Sequence, residues 1–359
     1  MEIHWSPAPP QLLKLHQAYA GPKSLVEKLN RAGFEAYLVG GAVRDAILGR
    51  PISDWDIATS ADPQAMLSIW PRAVPVGIQH GTLLVTEVTP PVEITAFRTE
   101  GPYEDQRHPD WVSFGVDLGE DLKRRDFTIN ALAFDPVNER LADPTGGLAD
   151  LERGLIRAVG NPDERFREDA LRLLRAVRFA ATLDFELEPK TKAALSKQAD
   201  GLKRVAPERI REELLKLLKA ERPSKGFRAM KESGLLVHVL PELLEGSEMT
   251  QNSYHAHTVF DHILHAVDAA PRDNLRVRLG ALFHDIAKPR TQGGVEGERT
   301  FYNHEGVGSK LTQEIMTRLR FPKREIEYVS GLVQNHMFYY TDEWSDGTVR
   351  RFVNRVGRD

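Results

Sequence analysis

Two aspartates two positions apart, Asp54 and Asp56, are the first residues of this sequence that could carry chemistry. Their surroundings predict a strand over residues 54–58, and alternate side chains of a strand share a face, so both carboxylates would point the same way. Carboxylates on one face can hold Mg²⁺, which then accepts phosphate oxygens. Glu93, on a later predicted strand, is a candidate third carboxylate. An isolated Asp-x-Asp pair is more often a solvated strand end, so the neighbouring sequence must decide.

A glycine pair precedes the aspartates. Gly40 and Gly41 follow an apolar run at 36–39 that predicts a strand, and they lead into a predicted helix at 42–48. A turn of this kind exposes backbone N–H groups to an anion such as a triphosphate. A Gly-Gly pair alone usually marks only a turn. The order and spacing of glycines and aspartates together make a nucleotide site the more specific interpretation.

A second group of possible ligands lies in the last third of the chain. Imidazole and carboxylate side chains suit Ni, Mn, Fe or Zn, and a metal-bound water can attack a phosphoester. The predicted ligands are His262, His284, Asp285 and His304, with His336 as a further candidate. His255, His257 and His265 leave the choice of the first ligand open.

The length and composition of the chain limit the classes of protein to which it can belong. A chain of 359 residues with 41% hydrophobic and 28% charged residues predicts two or three globular domains. It contains no apolar run long enough for a membrane helix, and its first residues do not form a secretory signal. The absence of cysteine excludes disulfide frameworks and thiol nucleophiles, and it favours a cytoplasmic location. The net charge of −4 counts mildly against an RNA substrate, although residues 151–220 carry an excess of Lys and Arg.

The predicted elements give an α+β fold. The first third mixes helices and strands, with a helix at 25–32 and strands at 81–88 and 92–97, and a polar stretch at 98–110 predicts a mobile loop. From about residue 166 the apolar spacing is helical. A break near 241–253, a Gly-rich turn at 293–297 and further helices follow.

We therefore predict three domains. A head at 1–150 carries a small mixed sheet and the aspartate pair, a helical neck and body follows at 151–243, and an all-helical domain at 244–359 carries the histidines. The chain stops inside a predicted helix, so we expect that a C-terminal segment is missing.

Several motifs resemble a known family. The segment 38–59 is similar to the signature of polymerase-beta-type nucleotidyltransferases, and more narrowly to the class II tRNA nucleotidyltransferases, which comprise CCA-adding enzymes and bacterial poly(A) polymerases. Residues 124–131, 143–151 and 168–172 resemble further motifs of that family in the same order. The histidine group resembles the HD phosphohydrolase superfamily, although Met337 stands where a last Asp ligand might be.

The resemblance implies an RNA 3′-nucleotidyltransferase with tRNA, ATP and CTP as partners. It implies that Asp54 and Asp56 hold two Mg²⁺ ions, one activating the RNA 3′-hydroxyl and another holding the triphosphate, and Glu93 stays a candidate third catalytic carboxylate. Arg44, Arg124 and Arg125 would neutralise phosphate charge. Asp126 or Asn130 would recognise the ribose. The alternative for Arg125 and Asp126 is that they form an ordinary surface ion pair with no functional role.

Base selection is expected at Asp169 and Arg172, which lie three apart on one face of a predicted helix. In the family this pair serves as a protein template for cytosine and adenine. The alternative is an ordinary ion pair within the helix. Four nearby arginines would meet the RNA backbone or pair with local carboxylates: Arg165, Arg167, Arg175 and Arg178.

Four functions remain open on the sequence alone. The segment 98–109 resembles the family's flexible loop, which serves the change from adding C to adding A, and its full length favours a CCA-adding or A-adding enzyme over one that adds only C. A poly(A) polymerase, a phosphohydrolase centred on the HD domain and a non-enzymatic RNA-binding module are the alternatives. The sequence does not set the oligomeric state.

Overall fold

A computed structural model describes residues 3–15, 18–52, 54–77, 81–100, 112–250, 257–294, 299–338 and 341–356. The chain divides into two compact units. The first comprises Met1–Arg172 with Glu186–Ala194, and the second comprises Leu173–Phe185 with Leu195–Asp359. The division into three domains, with boundaries after residues 150 and 243, stays a prediction.

A mixed sheet of eight strands forms the centre of the first unit. The sheet order is β1-β10-β9-β2-β3-β6-β5-β4, and every pairing is antiparallel except that of β3 with β6, which is parallel. Strands β7 and β8 form a separate antiparallel pair, and β11 and β12 pair in parallel. The strands are β1 (Trp5–Pro7), β2 (Ala36–Val39), β3 (Asp56–Thr59), β4 (Val74–Gly77), β5 (Thr82–Val85), β6 (Val92–Ala96), β7 (Arg98–Glu100), β8 (Val112–Phe114), β9 (Ala133–Asp135), β10 (Arg140–Ala142), β11 (Leu155–Ile156) and β12 (Glu186–Leu187).

Short helices surround this sheet, and a 3-10 helix spans Thr128–Asn130. The helices are α1 (Pro10–Leu13), α2 (Ala20–Arg31), α3 (Gly41–Ile47), α4 (Pro63–Ile69), α5 (Leu118–Lys123), α6 (Gly147–Arg153) and α7 (Pro162–Glu168). Helix α5 begins at an N-cap aspartate, Asp117, whose side chain accepts a hydrogen bond from the backbone N–H of Glu120 at 2.9 Å.

An apolar core fixes α5 against the sheet. Leu118 and Leu122 of α5 are buried in one cluster with sheet residues that include Tyr37, whose ring stacks on Phe97 at a centroid distance of 6.2 Å. Because two of the helix's six residues are anchored in this way, the polar side chains between them and after them are held at fixed positions. This anchoring is what places the acidic and basic residues described below.

The second unit is helical in the residues that the structure describes. Helices α8 and α9 cross the division between the units. The helices are α8 (Leu171–Leu183), α9 (Pro189–Gln198), α10 (Pro207–Leu218), α11 (Pro223–Glu232), α12 (Leu236–Val239), α13 (Pro241–Leu244), α14 (Val259–Ala269), α15 (Leu275–Phe283), α16 (His304–Arg318), α17 (Lys323–Asn335) and α18 (Asp346–Val356). No helix among these residues is long and apolar enough to cross a membrane.

The α+β fold predicted from the sequence is confirmed, and so are the strand at 36–39 and the helices on either side of it. The predicted strand over 54–58 is wrong at its start, because β3 begins at Asp56. In the register of β2 with β3, Val39 pairs with Asp56. The next residue of β2's chain, Gly40, has a φ of 76° and opens α3, so no partner strand continues opposite Asp54.

The predicted loop at 98–110 is also wrong at its start. Residues Arg98–Glu100 form β7, which pairs with Val112–Phe114 of β8. The remainder of the loop, the early histidine at 255 and the glycine at 297 lie outside the described residues.

Candidate functional site

Strands β3 and β6 bring two of the predicted carboxylates side by side. Asp56 and Glu93 are direct partners in the parallel register, so their side chains leave the sheet on the same face. Asp54 is exposed and lies two residues before β3. Among the described residues of the head, no three ligand atoms lie within 4.8 Å of one another. These three carboxylates therefore do not form a closed metal-binding site.

Burial makes ionisation of Asp56 unfavourable. Burial raises the pKa of Asp56 to about 6; Arg125 opposes this rise, and the nearby negative charges of Glu93 and Asp54 add to it. A carboxylate that is hard to ionise beside two others is a site where a divalent cation relieves repulsion. The donors are all hard oxygen atoms, so the residues present fit a Mg²⁺-type ion.

Gly40 keeps this site open. Its φ of 76° favours glycine, and a Cβ atom placed on it would lie 3.2 Å from Nη1 of Arg125 and 3.5 Å from Oδ2 of Asp56. The glycine turn therefore adjoins both the acidic site and an arginine. Among the described residues, the buried Nε of Arg125 has no hydrogen-bond partner, which leaves a donor for an anionic ligand.

Asp121 holds the two arginines of the 124–131 motif. It is 1% exposed, and its Oδ1 accepts from Nη2 of Arg124 at 2.7 Å while its Oδ2 accepts from Nη2 of Arg125 at 3.2 Å. Sequence reasoning missed this residue. The signal was present, because an acid three and four positions before two arginines on a helix lies on their face.

A buried hydrogen-bond chain joins α3 to the same motif. The Arg44 guanidinium donates hydrogen bonds to both carboxylate oxygens of Asp45, at 2.9 and 2.8 Å. Its Nη1 also donates to Oδ1 of Asn130 at 2.6 Å. Asn130 in turn donates to Oδ1 of Asp126 at 3.0 Å. The structure thus brings Arg44, Asp126 and Asn130 together, and Asp45 is a partner that the sequence analysis did not name.

Asp169 and Arg172 differ from the helical arrangement expected of them. Asp169 lies between α7 and α8 with extended φ and ψ of −140° and 106°, and only Arg172 lies within α8. The reason is local, because Oδ1 of Asp169 accepts from the backbone N–H of Leu171 at 3.0 Å and so caps the new helix. Arg172 is buried and donates to Oε2 of Glu168 at 2.5 Å.

The other arginines of this region are engaged differently. Arg165 also donates to Glu168, at 2.9 Å, whereas Arg167 is exposed. Arg175 and Arg178 lie further along α8 in the second unit, where Nε of Arg178 donates to the buried Glu213 at 2.6 Å. Contact with RNA or nucleotide stays a prediction for these arginines.

Four histidines of the second unit converge on one aspartate. Oδ2 of Asp285 lies 3.1 Å from Nε2 of His262 and 3.1 Å from Nε2 of His284. Its Oδ1 lies 3.3 Å from Nε2 of His304 and 3.7 Å from Nε2 of His336. Each oxygen with its two histidines forms a group whose ligand atoms lie within 4.8 Å of one another.

The backbone fixes the tautomer of three of these rings. Nδ1 of His284, His304 and His336 lies 2.7–2.8 Å from the carbonyl oxygens of Ala281, Phe301 and Val333, respectively. A carbonyl can only accept, so Nδ1 carries the proton and Nε2 is left as the ligand atom. These residues therefore fit a divalent metal ion with imidazole and carboxylate ligands.

Four imidazoles and one lysine surround the buried Asp285. Burial would raise its pKa, but hydrogen bonds from the histidines hold the pKa well below its usual range. For His304, burial lowers the pKa, but the hydrogen bond with Asp285 outweighs it and leaves the pKa raised. Lys288, at 2.7 Å from Oδ2 of Asp285, is a partner that the sequence analysis did not identify. The rings of His257 and His265 contact each other at a centroid distance of 4.6 Å and are not in either ligand group.

Comparisons with known proteins identify the family of this chain. Residues 36–157 match the poly A polymerase head domain, residues 184–246 match the probable RNA and SrmB-binding site of polymerase A, and residues 252–352 match the HD domain. The crystal structure of the Bacillus stearothermophilus CCA-adding enzyme in complex with CTP is 30% identical to this chain. It aligns with a TM-score of 0.73 over 97% of this chain and 76% of that one. The chain belongs to the family of CCA-adding enzymes and poly(A) polymerases.

Curated members of this family include CCA-adding enzymes of Streptococcus suis (strain 05ZYH33) and Anoxybacillus flavithermus, which are 53% and 48% identical over 224 and 234 residues. These alignments cover 62% and 65% of this chain and 55% and 58% of the relatives. The chain therefore spans little more than half the length of the curated relatives it matches. Its nucleotidyltransferase head and HD domain both indicate the use of divalent metal ions.

The raised pKa of Asp56 predicts an effect of pH on the free energy of unfolding. Because this pKa is about 6 in the folded protein, the contribution of Asp56 to stability is fully present below the unfolded pKa near 3.8 and is lost as pH rises through about 6. In EDTA, Asp56→Asn should therefore be more stable than wild type at pH 7–8, by at most about 3 kcal/mol. Urea unfolding from pH 4 to pH 8 measures the difference.

The difference should shrink towards pH 4, where Asp56 is protonated, and Mg²⁺ should stabilise the wild type more than the variant. An Asp56→Asn protein that is less stable than wild type at pH 8 in EDTA would contradict this account of the site.

Proposed function

We propose that this chain is a metal-dependent nucleotidyltransferase that adds CCA, or the terminal A, to tRNA 3′ ends from CTP and ATP. The observation that carries the proposal is the register of Asp56 with Glu93 beside the Gly40 turn and the open donor of Arg125. The names of the curated relatives support the same substrate. A cytoplasmic location accords with a tRNA substrate and stays a prediction.

Asp54, Asp56 and Glu93 are the residues that would hold Mg²⁺. When bound, the metal lowers the pKa of the RNA 3′-hydroxyl and stabilises the leaving pyrophosphate. The parallel β3–β6 ladder keeps Asp56 and Glu93 on one face, so the ligands need no rearrangement of the sheet. Asp54, exposed just before β3, can approach the pair from the start of the strand.

The arginines would orient the nucleotide. Arg125, with its unpartnered Nε close to Asp56 and Gly40, is suited to neutralise the triphosphate, and Arg124 lies beside it on Asp121. Gly41 and Arg44 lie on α3 next to the same turn. The linked side chains of Asp126 and Asn130 offer a carboxylate and an amide for the ribose hydroxyls.

Asp169 and Arg172 would select the base. Arg172 is held by Glu168, so its guanidinium is fixed rather than free to sample many rotamers. A fixed guanidinium and a carboxylate three residues earlier can distinguish base edges by donor and acceptor pattern. Arg175 and Arg178 are proposed to act further along α8, where Arg178 already pairs with Glu213.

A primer-extension assay tests the function. The protein with Mg²⁺ should receive tRNA transcripts that end at the discriminator base, at C-C and at C-C-A, each with CTP, ATP or both. We expect C-C and then A to be added, with no addition to the complete C-C-A end. Asp56→Asn should lower the rate by at least 100-fold, about 2.7 kcal/mol in the barrier.

Other extension products would indicate other enzymes. Addition of A only to the C-C end would mean an A-adding enzyme, and long A tails would favour a poly(A) polymerase. No extension of any transcript by the wild type would overturn the proposal.

A second activity is proposed for the HD domain, because two ligand groups share Asp285. We propose that His262, His284, Asp285, His304 and His336 bind Ni, Mn, Fe or Zn and support phosphoester hydrolysis. The metal would supply an activated water. Each histidine must present an unprotonated nitrogen to bind, so metal affinity should fall as the pH is lowered.

Asp285→Asn should weaken binding of Ni²⁺ or Mn²⁺ by at least 100-fold, because Asp285 gives one oxygen to each ligand group. Calorimetry measures the affinity, and hydrolysis of a p-nitrophenyl phosphodiester measures activity. The matched control is His265→Ala, an exposed histidine on the same helix as His262. Nucleotide addition by the head should stay within twofold of wild type in both variants, and unchanged metal affinity in Asp285→Asn would refute the site.

A further inference from the structure

A large cavity adjoins the histidine cluster of the HD domain. Its volume is about 630 Å³, which lies within the range of sites for small organic molecules. Two of the candidate metal ligands, His284 and His336, line this cavity, and they come from the two different ligand groups. Their rings contact each other at a centroid distance of 5.3 Å. A phosphoester bound at the histidine cluster can therefore place its organic part in this space.

The cavity is lined mainly by apolar and aromatic side chains. They include Tyr328 and Leu332 of α17, Phe338 after that helix and Phe352 of α18. The rings of Phe338 and Phe352 contact each other at a centroid distance of 4.9 Å, and Phe352 also contacts the ring of Trp344 at 5.6 Å. Aromatic side chains bind a further flat ring favourably by stacking or by edge contacts. The lining thus suits a flat, apolar group.

The charges of the lining disfavour a ligand with many phosphates. Among the described residues that line the cavity, none is a lysine or an arginine, and Glu327 is the only carboxylate. The Glu327 side chain is 66% exposed and lies 3.6 Å from Nζ of Lys323. Surfaces that bind an RNA backbone supply several cationic side chains to its phosphates. A ligand with one phosphate and an uncharged organic part therefore matches this cavity better than an RNA chain does.

Two helical glycines border the space. Gly280 of α15 and Gly331 of α17 both line the cavity, although glycine stabilises a helix less than alanine does. A Cβ atom on Gly280 would lie 3.1 Å from Cδ1 of Leu332, whereas a Cβ atom on Gly331 would meet nothing within 4 Å. A larger side chain at position 331 would consequently enter open space and fill part of the cavity.

We propose that this cavity is the specificity pocket of the HD site, and that it takes the neutral aromatic group of a small phosphoester with a single phosphate. The proposal rests on the hydrolytic activity proposed above for the histidine cluster, and it names the substrate class of that site. In the reaction, water forms a new P–O bond, the P–O bond to the aromatic hydroxyl compound breaks, and that compound leaves with a proton.

Binding of naphthol in EDTA tests the pocket without metal or hydrolysis, and equilibrium dialysis of the full chain measures the affinity. Gly331→Leu should weaken binding by about 10-fold or more, because leucine fills the space in which the ring is buried. The matched control is Gln334→Leu, which places the same side chain at an exposed position of α17 outside the lining. Its affinity for naphthol should stay within about twofold of wild type.

Phe338→Ala provides a second variant if Gly331→Leu does not fold. The Phe338 side chain lines the cavity but the residue is 53% exposed, so its removal costs little packing. Loss of this aromatic wall should weaken naphthol binding by about threefold or more.

Inhibition by phosphonates tests the link between the pocket and the histidine cluster. With Ni²⁺ or Mn²⁺, naphthylphosphonate and methylphosphonate are compared as inhibitors of p-nitrophenyl phosphodiester hydrolysis. In Gly331→Leu the inhibition constant of naphthylphosphonate should rise by about 10-fold or more, because its ring is excluded. The constant of methylphosphonate, which has no ring, should stay within about twofold of wild type.

The two measurements separate the pocket from the activity. If the wild type hydrolyses no phosphodiester with either metal, the proposed activity fails while naphthol binding still reports on the pocket. Equal affinity for naphthol in Gly331→Leu and Gln334→Leu overturns the pocket. A 3′-phosphorylated RNA trinucleotide that inhibits the wild type more tightly than naphthylphosphonate overturns the proposed substrate class.

Discussion

The parallel pairing of β3 with β6 is the constraint on which the head depends. The ladder places Asp56 opposite Glu93, and two carboxylates cannot move apart while their strands stay paired. Burial is the main reason why the pKa of Asp56 is raised to about 6, and the neighbouring negative charge of Glu93 adds to the rise. The glycine turn at Gly40 and the arginine at 125 then surround a position where a cation and an anion can both be stabilised.

The HD domain uses the opposite balance of charge. There one carboxylate, Asp285, is enclosed by four imidazoles and Lys288, the pKa of Asp285 is held well below its usual range, and the pKa of His304 is raised. Three rings are oriented by backbone carbonyls, which turns their Nε2 atoms inward before any ion arrives. The head is therefore suited to hard oxygen-bound ions, and the HD domain to ions that accept nitrogen ligands.

Local patterns were sufficient to predict much of this arrangement, and tertiary contacts explain the rest. The strand before Gly40 and the following helix were predicted because their signals are spacings within a short segment, whereas the histidine cluster was predicted from its residue types and its resemblance to the HD superfamily. The late start of β3 at Asp56 was not predicted, since it depends on where the neighbouring strand ends. The break at Asp169 was not predicted because it depends on a local cap, in which the N–H of Leu171 donates to the Asp169 carboxylate, and helical periodicity does not contain this signal.

Metal rescue at Asp56 tests the central claim most directly. The natural chain has no cysteine, so Asp56→Cys introduces a single thiol, which binds Cd²⁺ far better than Mg²⁺. The account predicts that this variant loses CMP addition to tRNA in Mg²⁺ and regains at least 10-fold when Cd²⁺ is added, whereas Asp56→Ala gains nothing. Wild-type activity of Asp56→Cys in Mg²⁺ alone would contradict the assignment of Asp56 as a metal ligand.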